Sequence, residues 1–229
     1  MKQFYLVANW KSNKTVPEAK EWILAFGHLL SDKKIPTNVT IILCAPFTVS
    51  ALLQEEITTL HVPIHLGVQT ISSYPSGAFT GEVSAQMVKG LVEYVLIGHS
   101  ERRRYFHETD EELFNKSKEA SDNGLKIIYC VEGADQAVPS EAVAVLYEPK
   151  SAIGSGISED PIISAHMCEK ISEKNNHVPV LYGGSVTEKT MNGFISQASI
   201  SGVGVGGASL KPEQFIQLIE AFFPVPDPT

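Results

Sequence analysis

Residues 146–156 read LYEPKSAIGSG, and they are the most informative stretch of the chain. An apolar run ends there at a carboxylate and a proline, and a glycine-rich loop follows. The run AVAVLY at 142–147 is typical of a strand buried on both faces, so we expect Glu148 at the rim of a core. Pro149 fixes the exit direction, and the loop glycines allow the backbone to bend. The pattern favours a general base under a lid, and a solvated glutamate in an ordinary loop is the alternative.

Seven further apolar runs share the character of the strand before Glu148. They lie at 4–8, 40–45, 64–69, 94–98, 125–131, 179–182 and 200–205. Amphipathic stretches typical of helices alternate with them at 17–30, 49–58, 83–90, 110–123, 159–174, 187–195 and 211–222. This alternation predicts an α/β fold, a (β/α)8 TIM barrel, as a single domain over 1–229. A doubly wound open sheet is the alternative that periodicity leaves open.

One helix of the alternation is missing. Only residues 132–141 separate the fifth and sixth strands, and a parallel crossover normally needs a dozen residues or more. We therefore predict a barrel that lacks the helix between strands five and six. The outer faces of those strands would then need cover from tilted neighbouring helices or from another subunit.

Composition limits the class of protein. The formal net charge of −8 argues against a nucleic-acid partner, because the chain has no excess of cations to replace counterions. Three cysteines form an odd and sparse set that fits a reducing compartment. The apolar N-terminal run is too short for a signal peptide, and no run of about 18 apolar residues occurs, so we predict a cytoplasmic protein without a membrane partner. The histidines other than His99 lack spacings such as HExxH, and no metal is predicted.

Polar side chains follow the first and fourth strands. In a parallel barrel, functional groups gather at the carboxyl ends of the strands. Asn9 and Lys11 follow strand one, and His99 follows strand four. Ser100 and Glu101 come next, where a helix would begin, and an imidazole facing a helix N-terminus is held neutral by the amide dipoles. A neutral ring can donate a hydrogen bond to a carbonyl. The alternatives are a surface role for Lys11 and a structural role for His99.

Glycine pairs end the seventh and eighth strands. The sequences are YGGS at 182–185 and VGGAS at 205–209. Two glycine pairs, each followed by a serine and a helix, suit backbone N–H groups that approach a phosphate. Plain turns are the alternative, and the presence of both pairs favours an anion site.

Taken together, seven motifs resemble the triosephosphate isomerase family, in that family's order. They are NWK at 9–11, GAFTGE at 77–82, IGHSERR at 97–103, YEP at 147–149, AIGSG at 152–156, YGGSV at 182–186 and VGGASL at 205–210. The resemblance covers almost the whole chain. It implies an isomerase without a cofactor that interconverts dihydroxyacetone phosphate and glyceraldehyde 3-phosphate.

The resemblance also implies catalytic roles for four side chains. Glu148 would remove the proton from the carbon beside the carbonyl, and neutral His99 would polarise the carbonyl and move protons between the two oxygens. Lys11 would offset the charge of the substrate and of the enediolate. Asn9 would add a hydrogen bond.

The same resemblance implies how the phosphate would be bound. The backbone amides of Gly154, Ser185, Gly206 and Gly207 would hold the phosphate, and residues 149–158 would close as a lid.

A second subunit is also implied. Thr80, in the motif at 77–82, would contact the partner of an isologous homodimer. The missing helix adds a tetramer as the alternative assembly. Ser100 and Glu101 are predicted to be supporting residues of the site.

Besides the missing helix, two features depart from the family pattern, at Gly204 and at Lys150 with Ser151. Gly204 stands where the family normally has a leucine pressing on the catalytic carboxylate, so we expect Glu148 to be better hydrated and less basic, with a reduced turnover. Lys150 and Ser151 replace the apolar residues that usually follow the proline, and the open lid loses its apolar anchor. These departures keep a second hypothesis open, a triose-phosphate-binding barrel with impaired or no catalysis that acts as a sensor or interaction protein. Another phosphosugar isomerase or epimerase is a further alternative.

Overall fold

The computed structural model describes residues 2–152 and 158–223. Within them, eight parallel strands close into a barrel, in which each strand pairs with the next and the last pairs with the first. The strands are β1 (Phe4–Asn9), β2 (Val39–Ala45), β3 (His65–Val68), β4 (Tyr94–Ile97), β5 (Lys126–Val131), β6 (Ala142–Tyr147), β7 (Val180–Tyr182) and β8 (Gly202–Val205). The predicted barrel is confirmed, and the open sheet is excluded.

Helices surround the barrel in the predicted order. Those that the structure describes are α1 (Val16–Leu30), α2 (Phe47–Thr59), α3 (Ala85–Val88), α4 (Ser100–Tyr105), α5 (Asp110–Asp122), α6 (Pro161–Lys174), α7 (Met191–Ile195) and α8 (Pro212–Glu220). Capping explains several starts: Thr15 and Thr109 form capping boxes before α1 and α5, and Asp160 caps α6. No helix in the described ranges is long and apolar enough to cross a membrane.

The strands bury side chains on both faces, because the barrel has an interior and a helix-covered exterior. The interior cluster comprises Val7, Ile42, Cys44, Tyr94, Leu96, Ile128, Cys130, Ala144, Leu146 and Leu181. Closure depends on Gly202 of β8, which pairs with Tyr5 of β1 at a φ of 143°. A Cβ at this position would overlap the Tyr5 carbonyl oxygen, so the backbones approach this closely only with glycine.

The helix between β5 and β6 is absent, as predicted. Residues 132–141, all of which the structure describes, form a loop without a helix. Ala134 in this loop packs against the outer core, and Lys174 Nζ of α6 donates to its carbonyl at 3.1 Å. Tyr129 and Val145, on the outer faces of β5 and β6, are fully buried within the single chain. Arg103 of the neighbouring helix α4 lies over the Tyr129 ring, 5.9 Å from its centroid, so a neighbouring helix shares in this cover. Cover by another subunit is not needed, and the reason for a tetramer is lost.

Candidate active site

The carboxyl ends of the strands surround a cavity of about 370 Å³. Its lining includes the predicted residues Asn9, Lys11, His99, Glu148, Ser185, Gly206 and Gly207. They come from β1, β4, β6, β7 and β8, far apart in the sequence, and meet because the ends of parallel strands share one rim. Gly154 lies outside the described residues. The volume suits a small ligand.

Glu148 is almost fully buried, with 3% of its surface exposed. Its Oε2 accepts a hydrogen bond from the Ser100 backbone N–H at 2.9 Å, and its Oε1 accepts one from Ser100 Oγ at 3.3 Å. Burial raises the pKa of the Glu148 carboxyl, and His99, Ser100 and Lys11 oppose that rise. Ser100 therefore supports the carboxylate.

The expected effect of Gly204 on the carboxylate is wrong. Glycine there was expected to leave Glu148 hydrated and less basic, yet the carboxylate is buried and its pKa is raised. A Cβ built on Gly204 would lie 2.6 Å from Leu146 Cδ1, so the Leu146 side chain already fills this space. The reason for a reduced turnover is therefore absent.

His99 directly precedes the first turn of α4 and acts as its N-cap. Its Nδ1 accepts from the Glu101 backbone N–H at 3.2 Å, and its Nε2 lies 3.0 Å from Glu148 Oε1. A ring that accepts at Nδ1 carries its proton on Nε2, so this hydrogen-bond pattern assigns a neutral imidazole whose N–H points at the carboxylate. The predicted neutral state agrees with this geometry.

Lys11 is held at the mouth of the cavity in a left-handed backbone conformation, with a φ of 54°. Its backbone N–H donates to Asn9 Oδ1 at 2.9 Å, and Gln69 Nε2 donates to its carbonyl at 2.9 Å. Its ammonium pairs with Glu101 Oε1 at 2.6 Å. Sequence reasoning missed Gln69, although its place directly after β3 was the available signal. These bonds hold a strained residue and fix the direction of a cation.

The glycine-rich strand ends leave room for a ligand beside Lys11. A Cβ on Gly206 would lie 3.3 Å from Lys11 Cε, and one on Gly207 would meet no atom within 4 Å. Ser185 Oγ donates to the Ala152 carbonyl at 3.1 Å, which links the β7 loop to the start of the predicted lid.

Only part of the predicted lid at 149–158 is described, because 153–157 lie outside the described residues. Lys150, at its start, pairs with Glu132 Oε2 at 3.2 Å while its side chain stays 78% exposed. An exposed pair of this kind contributes little stability, so the departure at Lys150 replaces an apolar anchor with a weak polar one.

Thr80 is exposed and does not line the cavity. It follows Phe79, whose ring stacks on Tyr74 with centroids 4.5 Å apart. The loop thus carries two exposed aromatic rings on the surface.

Comparison with known proteins identifies the family. A model of the family described as triosephosphate isomerase matches residues 4–222. Similar proteins include triosephosphate isomerases from Mesomycoplasma hyorhinis, 35% identical over 96% of this chain and 98% of that protein, and from Alkaliphilus oremlandii, 35% identical over 96% and 99%. The enzyme of that name from Gloeobacter violaceus is 35% identical over 96% and 98%. The chain belongs to the triosephosphate isomerase family.

Proposed function

We propose that this protein interconverts dihydroxyacetone phosphate and glyceraldehyde 3-phosphate through an enediolate, without a cofactor. The names of its relatives and its family support the reaction. The observation that carries the proposal is the approach of Glu148 Oε1 to His99 Nε2, at 3.0 Å, inside a cavity that Lys11 also lines. A carboxylate, an uncharged N–H donor and a cation are what proton abstraction beside a carbonyl requires.

The reaction follows from these groups. Glu148 takes the proton from the carbon beside the carbonyl, and the electron pair of that C–H bond forms the C=C bond of the enediolate. His99 Nε2–H donates to the carbonyl oxygen, where negative charge develops. Protons then move between the two oxygens, and Glu148 returns its proton to the neighbouring carbon. Burial raises the pKa of Glu148, which makes its carboxylate a stronger base for a weak carbon acid.

The remaining site residues bind the substrate. Lys11 offsets the charge of the phosphate and of the enediolate, and Asn9 fixes Lys11 by accepting its backbone N–H at 2.9 Å. Backbone amides of Ser185, Gly206 and Gly207 hold the phosphate where no side chain intrudes.

The lid at 149–158 completes the site, with the Gly154 amide as a further phosphate donor. Closure excludes water from the carboxylate and replaces it with fixed dipoles, which favours the enediolate. Phosphate binding supplies the free energy that holds the lid closed.

The same proposal includes a homodimer in the cytoplasm. Thr80 would contact the partner subunit, and the exposed Phe79 and Tyr74 beside it supply apolar surface for the interface. The cysteines Cys44, Cys130 and Cys168 are free and buried, which suits a reducing compartment. Sedimentation should give a dimer for the wild type and a smaller species for Thr80→Arg, whereas a wild-type monomer at micromolar concentration would contradict the dimer.

A coupled assay of isomerisation tests the proposed reaction. Glu148→Gln should lose activity while it still binds triose phosphate in calorimetry. Glu141→Gln is the matched control, because Glu141 immediately precedes β6 at the opposite end of the strand that Glu148 follows, and it should retain full activity. A wild type that binds triose phosphate but turns none over would reject the enzyme and favour the sensor hypothesis.

A further inference from the structure

We propose that Leu146 is the positioning residue of this site: its side chain forms the apolar wall that keeps the Glu148 carboxylate dry. This inference rests on the proposed isomerase function and deepens it. Leu146 and Glu148 are two residues apart at the end of β6, so their side chains leave the strand on the same face. Both line the cavity, and Leu146 is 4% exposed.

The Leu146 side chain fits because glycine stands at two positions that face it, Gly204 within β8 and Gly183 directly after β7. A Cβ on Gly204 of β8 would lie 2.6 Å from Leu146 Cδ1 and 3.1 Å from its Cδ2. A Cβ on Gly183, directly after β7, would lie 2.9 Å from Leu146 Cγ and 3.1 Å from Glu148 Cγ. A side chain at either position would displace the leucine, so one large residue and two glycines form a single packing unit.

This unit explains how Glu148 is buried although Gly204 contributes no side chain. The apolar side chain expected at position 204 is replaced by that of Leu146, which fills the same space from β6, two residues before the base. Leu146 also belongs to the buried interior cluster of the barrel, which holds its orientation. Its methyl groups therefore exclude water from one side of the carboxylate, and desolvation is the main cause of the raised Glu148 pKa.

A double-mutant cycle tests the proposal. Leu146→Ala should lower kcat at least roughly tenfold with little change in KM, because a rehydrated carboxylate is a weaker base. It should also lower the pKa of the Glu148 carboxyl, measured by carbon NMR on labelled glutamate and assigned with Glu148→Gln. Gly204→Leu alone should lose activity through overlap with Leu146. The double variant Leu146→Ala/Gly204→Leu should recover most of the wild-type kcat and carboxyl pKa.

Leu181→Ala is the matched control, because Leu181 is a fully buried leucine of the same interior cluster on β7 and does not line the cavity. It should lower the free energy of unfolding while leaving the Glu148 pKa and kcat near the wild-type values. Leu146→Val replaces Leu146→Ala if the alanine variant does not fold, with the same readouts and a smaller expected change.

Two results would overturn the proposal. One is a Glu148 pKa that stays the same in a folded Leu146 variant, and the other is a folded double variant that recovers neither pKa nor kcat. An inactive wild type would instead overturn the proposed function, and the carboxyl pKa would still decide the role of Leu146.

Discussion

The buried ion pair between Lys116 and Glu108 should be one of the most expensive to break in the described part of this protein. Lys116 Nζ lies 2.5 Å from Glu108 Oε1, and the two side chains are 9% and 6% exposed. Lys116 also donates to Thr70 Oγ1 at 2.9 Å, and Arg102 Nε donates to the same Glu108 oxygen at 2.6 Å. The cluster ties α5 to α4, which carries Ser100, and to the loop after β3.

Lys116→Met removes the cation and keeps the shape of the side chain. Breaking a buried pair costs roughly 3–5 kcal/mol, since the remaining charge stays buried without its partner. Arg102 still contacts Glu108, so we expect a loss of about 3 kcal/mol, at the lower end. Among the described residues, no donor bonds Glu108 Oε2, so Arg102 at Oε1 would be the one charged partner left to the carboxylate. At roughly 2–4 °C per kcal/mol for a chain of this size, Tm should fall by about 6–12 °C.

Urea unfolding and calorimetry measure this loss. Lys118→Met is the matched control, because Lys118 also lies 2.5 Å from a carboxylate, that of Asp122, but both side chains are exposed. Exposed pairs contribute little, so the control should unfold at the wild-type midpoint. A loss below about 1 kcal/mol in Lys116→Met, or equal losses in the two variants, would refute the argument that burial sets the cost.

Three further predictions follow from the structure. Gly202→Ala should abolish the cooperative unfolding transition, because its Cβ would overlap the Tyr5 carbonyl where the barrel closes, whereas Gly133→Ala, with no atom within 4 Å of its Cβ, should fold normally. Burial raises the folded pKa of Glu148 above its unfolded value, so stability from this group is complete at low pH and is lost as the pH rises through the folded pKa. Glu148→Gln should remove this dependence of stability on pH. The free energy of unfolding of the variant, measured in urea, should therefore rise relative to that of the wild type from acidic to neutral pH; a constant difference would contradict the raised pKa. Lys11→Met should lower kcat/KM by roughly a hundredfold or more in the coupled assay, since it removes a cation that lines the cavity and, in the proposed mechanism, offsets the developing charge. A tenfold loss or less would argue against that role.

Local patterns predicted the barrel well, for a physical reason. Strands buried on both faces appear as continuous apolar runs, so all eight were predicted. The helix α4 was predicted only as a possible start, because its sequence SERRRY has no apolar periodicity. The absence of a helix at 132–141 followed from chain length alone, but the cover that this loop provides depends on contacts between distant residues, such as Lys174 with Ala134.

The candidate site was likewise predictable in part. Residues at strand ends, such as His99 and Glu148, were predictable because the fold itself brings strand ends together. The interpretation of Gly204 failed because it considered one position without its neighbours. Leu146 on β6 fills the same space, and one sequence cannot reveal such an exchange until the fold turns both strands toward the same interior space. Gln69 was missed for a similar reason, since its bond to the Lys11 carbonyl joins β1 to β3.

The resting geometry of the site sets a requirement for the proposed reaction. His99 Nε2 faces Glu148 Oε1 at 3.0 Å, so without substrate the proposed base accepts the hydrogen bond that the substrate carbonyl needs. Substrate binding must separate the two groups, and the carboxylate must leave the two Ser100 donors to reach carbon. Hydrogen bonds to a charged group contribute about 1.5–3 kcal/mol each, so this rearrangement needs a source of free energy. In the proposed mechanism the phosphate supplies it from a part of the substrate that does not react, so a phosphate-free triose should lose turnover as well as affinity.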